Sequence, residues 1–223
     1  MTTPENFAIA IDGPVGVGKS TTAKLVAQML KINYIDTGAM YRTVALYGIQ
    51  NGIDLSNPAE LEDSLRNIEV NLFHINGVQR VDLNGTDVTD LLRTQEISDA
   101  TSRLVAVNPV VREKLIEKQR QIAKTSAVVM DGRDIGSYVL PNADVKIYLD
   151  AAPEVRARRR TLEMEAKGQP ADFNRILQET IERDERDKNR PIAPLVRTPD
   201  AICIDTAEMT PEDVAKKIIA YVN

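Results

Sequence analysis

Five short apolar runs are spaced along the chain: Phe7–Ile11, Ile32–Ile35, Ala127–Met130, Val145–Leu149 and Ala201–Ile204. They lack the strict alternation of a half-exposed strand, which is the pattern of strands buried on both faces in a parallel sheet. Each is followed at once by an aspartate, namely Asp12, Asp36, Asp131, Asp150 and Asp205. Open α/β sheets bind ligands at the C-terminal ends of their strands, so carboxylates there are candidate site residues. Helical spacing fills the intervals. After Ser20, the residues Leu25, Val26, Met29 and Leu30 recur on one helix face. Thr210–Pro211–Glu212–Asp213 opens a last helix, with Thr as N-cap, Pro in the first turn and acids behind it. Asn108–Pro109 opens another in the same way. Alternating strands and helices predict an α/β fold, with a central five-stranded parallel sheet and helices on both faces.

Two intervals break the alternation. Residues 37–126 are too many for one crossover helix. Within them Glu69–Asn84 reads as two strands around Asn76–Gly77, a strong hairpin signal, so the interval is taken as an inserted subdomain. Residues 151–200 hold two Arg-rich helical segments joined by the breaker Lys167–Gly168–Gln169–Pro170, the pattern of a helical lid. Residues 1–36, 127–150 and 201–223 remain for the core. The second lid helix carries an apolar stripe of Phe173, Ile176, Leu177, Thr180 and Ile181, with Asp172 as N-cap. Arg183, Asp187 and Arg190 follow at spacings of four and three and share a face that overlaps one edge of this stripe. They either point into a cleft or belong to a solvated run of ion pairs, and on spacing alone the mixed charge of ERDERDKNR favours the second.

Composition narrows the class. A chain of 223 residues with 43% hydrophobic and 27% charged residues is expected to be soluble and globular, with a core that needs no disulfide. Aromatics at 4%, no Trp and a net charge of -5 argue against general nucleic-acid binding. Cys203 is the only cysteine, which rules out an internal disulfide and predicts a reducing cytoplasm. The opening MTTPENFAIAID lacks the basic-then-apolar pattern of a signal peptide, and no run approaches the ~20 apolar residues of a membrane span. We expect a cytoplasmic monomer with no membrane partner. With one histidine, His74, and one cysteine, neither a zinc site nor a Cys–His pair is available; His74 is assigned to packing in the hairpin and Cys203 to the core.

Between the first strand and the first helix lies Gly13–Pro14–Val15–Gly16–Val17–Gly18–Lys19–Ser20, with the full Gly-x4-Gly-Lys-Ser spacing of a P-loop. Its glycines let backbone N–H groups turn inward around phosphate oxygens, and the following helix, through Thr21, adds its partial positive charge. Lys19 is placed to reach the β- and γ-phosphates, and the Ser20 hydroxyl to ligate Mg2+. The reading is a P-loop fold that binds ATP. A further acid at a strand end is needed to organise magnesium; Asp131, possibly acting through water, is preferred to Asp36, and either could instead cap a turn.

The guanine-reading Asn-Lys-x-Asp of a GTPase switch is absent; Asp150–Ala151–Ala152–Pro153 stands after the fourth run. The arginines suggest transfer to a phosphate acceptor: Arg42, Arg112, Arg133, then Arg156, Arg158, Arg159, Arg160, Arg183, Arg186 and Arg190. Like charges ~4 Å apart repel by several kcal/mol even at an effective dielectric of 20. Planar guanidinium forks offset this and hold oxygens bidentately. A phosphate nucleophile is largely ionised at neutral pH, so no general base is required. Any helix bearing the Arg156–Arg160 cluster must turn one or two of its arginines to water.

IDGPVGVGKST, YIDTGAMYR, DGRDIG and ERDERDKNRPIAPL, in this order, closely resemble the bacterial cytidylate kinase family, over nearly the whole chain and including the hairpin insert. An adenylate kinase would carry Phe-Pro where this chain has Arg133–Asp134. The resemblance implies transfer of the γ-phosphoryl group of ATP to CMP or dCMP, with Mg2+. It further implies that Thr37 contacts the acceptor nucleotide, where the family often has Ser. Ser102, Arg112 and Asp134 would read cytosine, and Arg42, Arg133 and Arg190 would hold the acceptor phosphate. Arg183 and Asp187 would hold its sugar, and Arg159 would lie beside adenine. A carboxylate accepts from the N4 amino group of cytosine and repels the oxygen of uracil, which suits Asp134; a salt bridge to Arg133 or a turn cap is the other reading of that residue. Two alternatives remain: another small-molecule P-loop kinase, and an ATP-dependent switch without transfer.

Overall fold

The computed structural model describes residues 6–75 and 77–222. Residues 1–5, on which the signal-peptide reading partly rests, and Asn76 of the predicted turn lie outside them. In chain order the strands are β1 (Ala8–Asp12), β2 (Asn33–Asp36), β3 (Val70–Ile75), β4 (Val78–Leu83), β5 (Thr86–Asp87), β6 (Val128–Asp131), β7 (Val145–Asp150) and β8 (Ile202–Asp205). The α-helices are α1 (Lys19–Leu30), α2 (Thr37–Gln50), α3 (Pro58–Ser64), α4 (Gln95–Ala100), α5 (Pro109–Thr125), α6 (Pro153–Ala166), α7 (Phe173–Asn189) and α8 (Pro211–Ile219). The five predicted core strands are all present, each ending on its aspartate rather than before it. The parallel ladder carries them there: Ile11 pairs with Asp131, Asp12 with Tyr148 and Asp150 with Asp205. A polar side chain does not end a strand whose backbone bonds continue, and the N–H of Gly132 still donates to the Ile11 carbonyl at 3.0 Å.

The chain forms two compact units, one made of residues up to Tyr34 and from Ser126 onward, the other of Ile35–Thr125. The first holds a five-stranded parallel sheet in the order β2-β6-β1-β7-β8. Side chains alternate across a strand, so each sheet face collects one parity. Ile9, Ile11, Val129, Ile147 and Leu149 pack with Ala23, Val26 and Ala27 of α1 and with Val214, Ala215 and Ile218 of α8. On the opposite parity lie Asp12 and its ladder partner Tyr148, facing the π-helical turn Ile135–Val139. The order reverses around β1, with β6 on one side and β7 on the other, which opens the ligand crevice at the β1 C-terminus. Caps fall where the sequence places them: Asp172 accepts from the Arg175 N–H at 2.9 Å, Thr210 from Asp213 at 3.2 Å. The buried line of α7 is Ile176, Thr180 and Asp184, whereas Ile181 is exposed, so the stripe runs straighter than predicted and ends on a carboxylate.

In the second unit α2 and α5 share a core with the hairpin, through Met40, Val44, Val81, Leu83, Val111 and Leu115. β3 and β4 are antiparallel, and pairing of Ile75 with Val78 leaves a two-residue connection at 76–77. β5 adds a third strand that is too short to show a period. Two packing assignments are corrected. Cys203 is exposed, because β8 is the edge of the sheet and one of its faces meets solvent. His74 lies near the tip of β3, also exposed rather than packed. Among the described residues no helix is long and apolar enough to cross a membrane.

Gly13 has φ +148°, and a Cβ there would sit 2.1 Å from the Leu149 carbonyl oxygen of β7. The glycine is therefore required by the approach of two backbones as well as by the loop. Gly13→Ala should destabilise the protein by roughly 3 kcal/mol or more. Gly18→Ala, at φ +89° but with open space around it, should cost about 1–2 kcal/mol. Urea midpoints of the two variants check the order; equal midpoints would contradict it.

Candidate active site

The loop from Gly13 to Ser20 joins β1 to α1, and Gly18, left-handed at φ 89°, is the N-cap of the helix. Lys19 is buried and its ammonium donates to the Pro14 carbonyl at 2.7 Å. Burial, followed by the neighbouring Arg133 guanidinium, pushes the Lys19 pKa well below its usual value, against the pull of Asp131, Asp187 and Asp12. An ammonium so placed gains from any further negative charge brought to it. The Ser20 hydroxyl donates to Asp131 at 2.8 Å, and the Tyr34 hydroxyl donates to the other oxygen of the same carboxylate at 2.8 Å. This pair of hard oxygen donors at the start of α1 suits Mg2+, which takes one or two protein oxygens and fills the rest of its shell with phosphate and water.

Parity decides what each strand-end carboxylate meets. Asp131 shares a face with Val129 and so points at α1 and Ser20. Asp12, one residue on from Ile11, points the other way. Its oxygens accept from the N–H groups of Ile135 at 2.8 Å and Gly136 at 2.7 Å. Burial raises the Asp12 pKa to about 6, opposed by those two N–H groups, helped by Asp134 and opposed again by Lys19. Asp12 thereby pins the segment that carries Arg133 and Asp134.

Those two residues are not paired with each other. Arg133 donates through Nε to Asp187 of α7 at 2.7 Å, and Arg190 donates through Nη2 to Asp134 at 2.9 Å and through Nε to the Ala193 carbonyl at 2.6 Å. Burial opposes the charge of both partners in the first pair. Asp187 nevertheless keeps the Arg133 pKa above its usual value, and Arg133, Arg183 and Arg190 keep Asp187 below the usual carboxylate range. The structure thus brings Lys19, Ser20, Asp131, Arg133, Asp134, Asp187 and Arg190 together within the first unit, with Arg183 acting on Asp187. The solvated reading of this face fails at Arg190, which is buried, and at Asp187, whose side chain is only 14% exposed.

In the second unit Thr37 is the buried first residue of α2. Asp36 caps that helix, accepting from the Ala39 N–H at 2.9 Å, and accepts from Arg42 Nη2 at 2.8 Å. Its carboxylate is committed to the cap and to Arg42, which removes it as a magnesium candidate. Ser102 lies in the π-helical turn Thr101–Val105 with its hydroxyl 3.5 Å from the Asp99 carbonyl. Arg112 is 1% exposed, donates to the Ala106 carbonyl at 3.2 Å and lies over the Tyr41 ring, 5.7 Å from its centroid.

The arginines of α6 separate. Arg158 and Arg160 are exposed, the first over the Phe173 ring and the second beside Glu163. Arg159 donates to the carbonyls of Thr206 and Ala207 and to the Thr206 hydroxyl. Arg156 is buried against Asp184. Sequence reasoning missed Tyr34, Asp184 and Thr206, and the task of Asp12. For Asp184 a signal existed: it stands four residues after Thr180 on the buried line of α7.

A family model described as cytidylate kinase matches residues 9–223. A cytidylate kinase from Geobacillus sp. (strain WCH70) is 46% identical over 218 residues, covering 98% of this chain and 97% of its own. One from Bacillus subtilis (strain 168) is 43% identical over 218 residues with the same coverage. Among solved structures, an uncharacterized protein from Eubacterium ventriosum ATCC 27560 shares the fold, with a TM-score of 0.52 at 15% identity and 98% of each chain covered.

The pinning by Asp12 has a pH signature. Its folded pKa of about 6 lies above the ordinary 3.8, so its contribution to stability is full below about 3.8 and is lost as pH rises through about 6. Above that pH the carboxylate accepts from both N–H groups but bears the full cost of its burial; below it the proton relieves that larger cost while weakening the bonds to Ile135 and Gly136. The amide resonance of Gly136 should titrate with a midpoint near 6 in the wild type and stay flat in Asp12→Asn. A flat wild-type curve would contradict the assignment. Lys19, Asp134, Lys146 and Tyr148 are the other titratable groups facing this carboxylate.

Proposed function

We propose how the residues above divide the work in a chain that belongs to the cytidylate kinase family and transfers the γ-phosphoryl group of ATP to CMP. One observation carries the assignment: in a single unit the phosphate loop, the Ser20–Asp131 pair and Arg133 with its α7 partner Asp187 converge on Lys19. Loop N–H groups from Gly13 to Thr21 and Lys19 hold the ATP phosphates. Ser20 and Asp131 would hold Mg2+, Asp131 directly or through water, and the ion would neutralise charge on the β- and γ-phosphates. Arg159 serves the adenine side.

For the acceptor, the first unit supplies Arg133 and Arg190 to the CMP phosphate, Arg183 and Asp187 to the sugar and Asp134 to the base. Within the second unit, Thr37, Arg42, Ser102 and Arg112 are acceptor contacts that the family resemblance alone supports. The CMP phosphate oxygen is the nucleophile and arrives ionised, so the protein contributes alignment and charge neutralisation rather than a base. Arg190 fixes the Asp134 carboxylate, which accepts from the N4 amino group of cytosine and faces an oxygen if uracil is bound. dCMP is accepted by the same groups. Family membership disfavours a sugar-acid kinase and a switch without transfer. A cytoplasmic setting fits the lone exposed thiol of Cys203.

An ADP-release assay across nucleoside monophosphates tests the reading, with CMP and dCMP expected ahead of UMP, AMP and GMP; no preference among them would remove it. Lys19→Ala should lose about 100-fold or more in kcat with the fold retained by circular dichroism. Asp134→Ala should raise KM for CMP and narrow the CMP-to-UMP ratio while leaving KM for ATP near wild type. Equal losses for both nucleotides would make Asp134 structural.

A further inference from the structure

A backbone loop that binds phosphate must show it N–H groups and not carbonyl oxygens. Because a peptide is planar and trans, its C=O and N–H point in opposite directions. Turning the Val15 carbonyl outward therefore turns the Gly16 N–H inward. The group that receives the Val15 carbonyl is Arg156 of α6, whose Nη1 donates to it at 3.0 Å. Arg156 is buried, and four hydrogen bonds occupy its fork. Nε donates to the Ala151 carbonyl at 2.9 Å, while Nη1 and Nη2 meet the two oxygens of Asp184 at 3.1 and 2.5 Å. The loop also rests on the stem of this residue: a Cβ on Gly16, at φ +81°, would lie 3.2 Å from Arg156 Cβ.

We propose that Arg156 is a positioning residue for ATP, one that fixes the Val15–Gly16 peptide with its N–H toward the phosphates, and that Asp184 of α7 positions Arg156. The hydrogen bonds of Asp184 go to the Arg156 guanidinium, through which it bears on the loop. This rests on the reading of Gly13–Ser20 as the ATP loop. Lysine cannot replace arginine here, since a single ammonium lacks the planar fork that serves Ala151, Val15 and Asp184 at once.

A buried ion pair can also be simply structural, and the test must separate the two. Removing one partner strands a buried charge and endangers the fold, whereas an apolar pair of similar volume often preserves stability. The double variant Arg156→Met/Asp184→Leu extends the line of Ile176 and Thr180 with an apolar residue. Its thermal midpoint should fall by no more than a few degrees, since removing two buried charges offsets the loss of donors to the Val15 and Ala151 carbonyls. Its Kd for ATP with Mg2+, measured by calorimetry, should rise about tenfold, the loss of one well-oriented donor. Its Kd for CMP should stay within about twofold by the same measurement. Arg156→Lys, as a second variant, should show the same split. ATP affinity unchanged in either variant, or ATP and CMP weakened equally, overturns the proposal. Lys19→Ala in parallel tests the ATP loop itself: if it binds ATP like wild type, the underlying reading fails whatever Arg156 does.

Discussion

The phosphate loop works only if every carbonyl it turns away from the phosphates is answered by a donor elsewhere. An unanswered buried carbonyl costs about 1–3 kcal/mol, enough to flip a glycine-rich peptide back. Three carbonyls of this loop are answered by three different parts of the chain. Pro14 receives Lys19 from α1, Val15 receives Arg156 from α6, and Val17 receives the Thr206 hydroxyl from the segment after β8, at 3.3 Å. Thr206 in turn accepts from Arg159, so the α6 helix reaches the loop twice. Two of these donors, Arg156 and Thr206, are distant in sequence and meet the loop only when β1, β7 and β8 have paired. The anion site is thus a product of the assembled sheet rather than of the eight-residue motif.

The same sheet sorts its carboxylates by parity. Asp131 and Asp12 end adjacent strands, yet one residue of offset sends them to opposite faces. Asp131 meets Ser20 and Tyr34, two hydroxyl donors that leave it suited to a metal ion. Asp12 meets two backbone N–H groups and becomes a staple for the Arg133–Asp134 segment. Two identical side chains at equivalent strand ends therefore do unlike chemistry, and a one-residue slip of register would exchange their surroundings.

This explains what could be read from the chain and what could not. The strands, the α1 start, the Thr210 and Asp172 caps and the hairpin were legible because each depends on local period or on residues a few positions apart. The Gly13–Ser20 loop was legible because its spacing is rigid. Asp12 was visible as a strand-end acid, but its task depends on which way it points, which only the ladder fixes. Cys203 looked like core because its run is apolar, and whether a strand lies at an edge is a property of the whole sheet. Arg156 and Asp184 are 28 residues apart on two helices, and no period in either helix announces that they meet.

The pairing of four of the candidate arginines with buried or half-buried aspartates has a chemical reason. Arg42 has Asp36, Arg133 has Asp187, Arg190 has Asp134 and Arg156 has Asp184. A chain of net charge -5 can gather these guanidinium groups because each of the four is compensated locally. Without those partners, several buried guanidinium groups would repel one another and pay full desolvation. Compensation does not silence them. A guanidinium carries five N–H donors, so a fork that gives one or two to a carboxylate can still offer others to a phosphate. An ammonium is a point charge that lacks this division of directions. The carboxylates then set where each fork points before any nucleotide arrives, which lowers the reorganisation left for the transfer step. On the proposed assignment the acidic residues of α7 belong to the phosphate-handling apparatus as much as the arginines they hold.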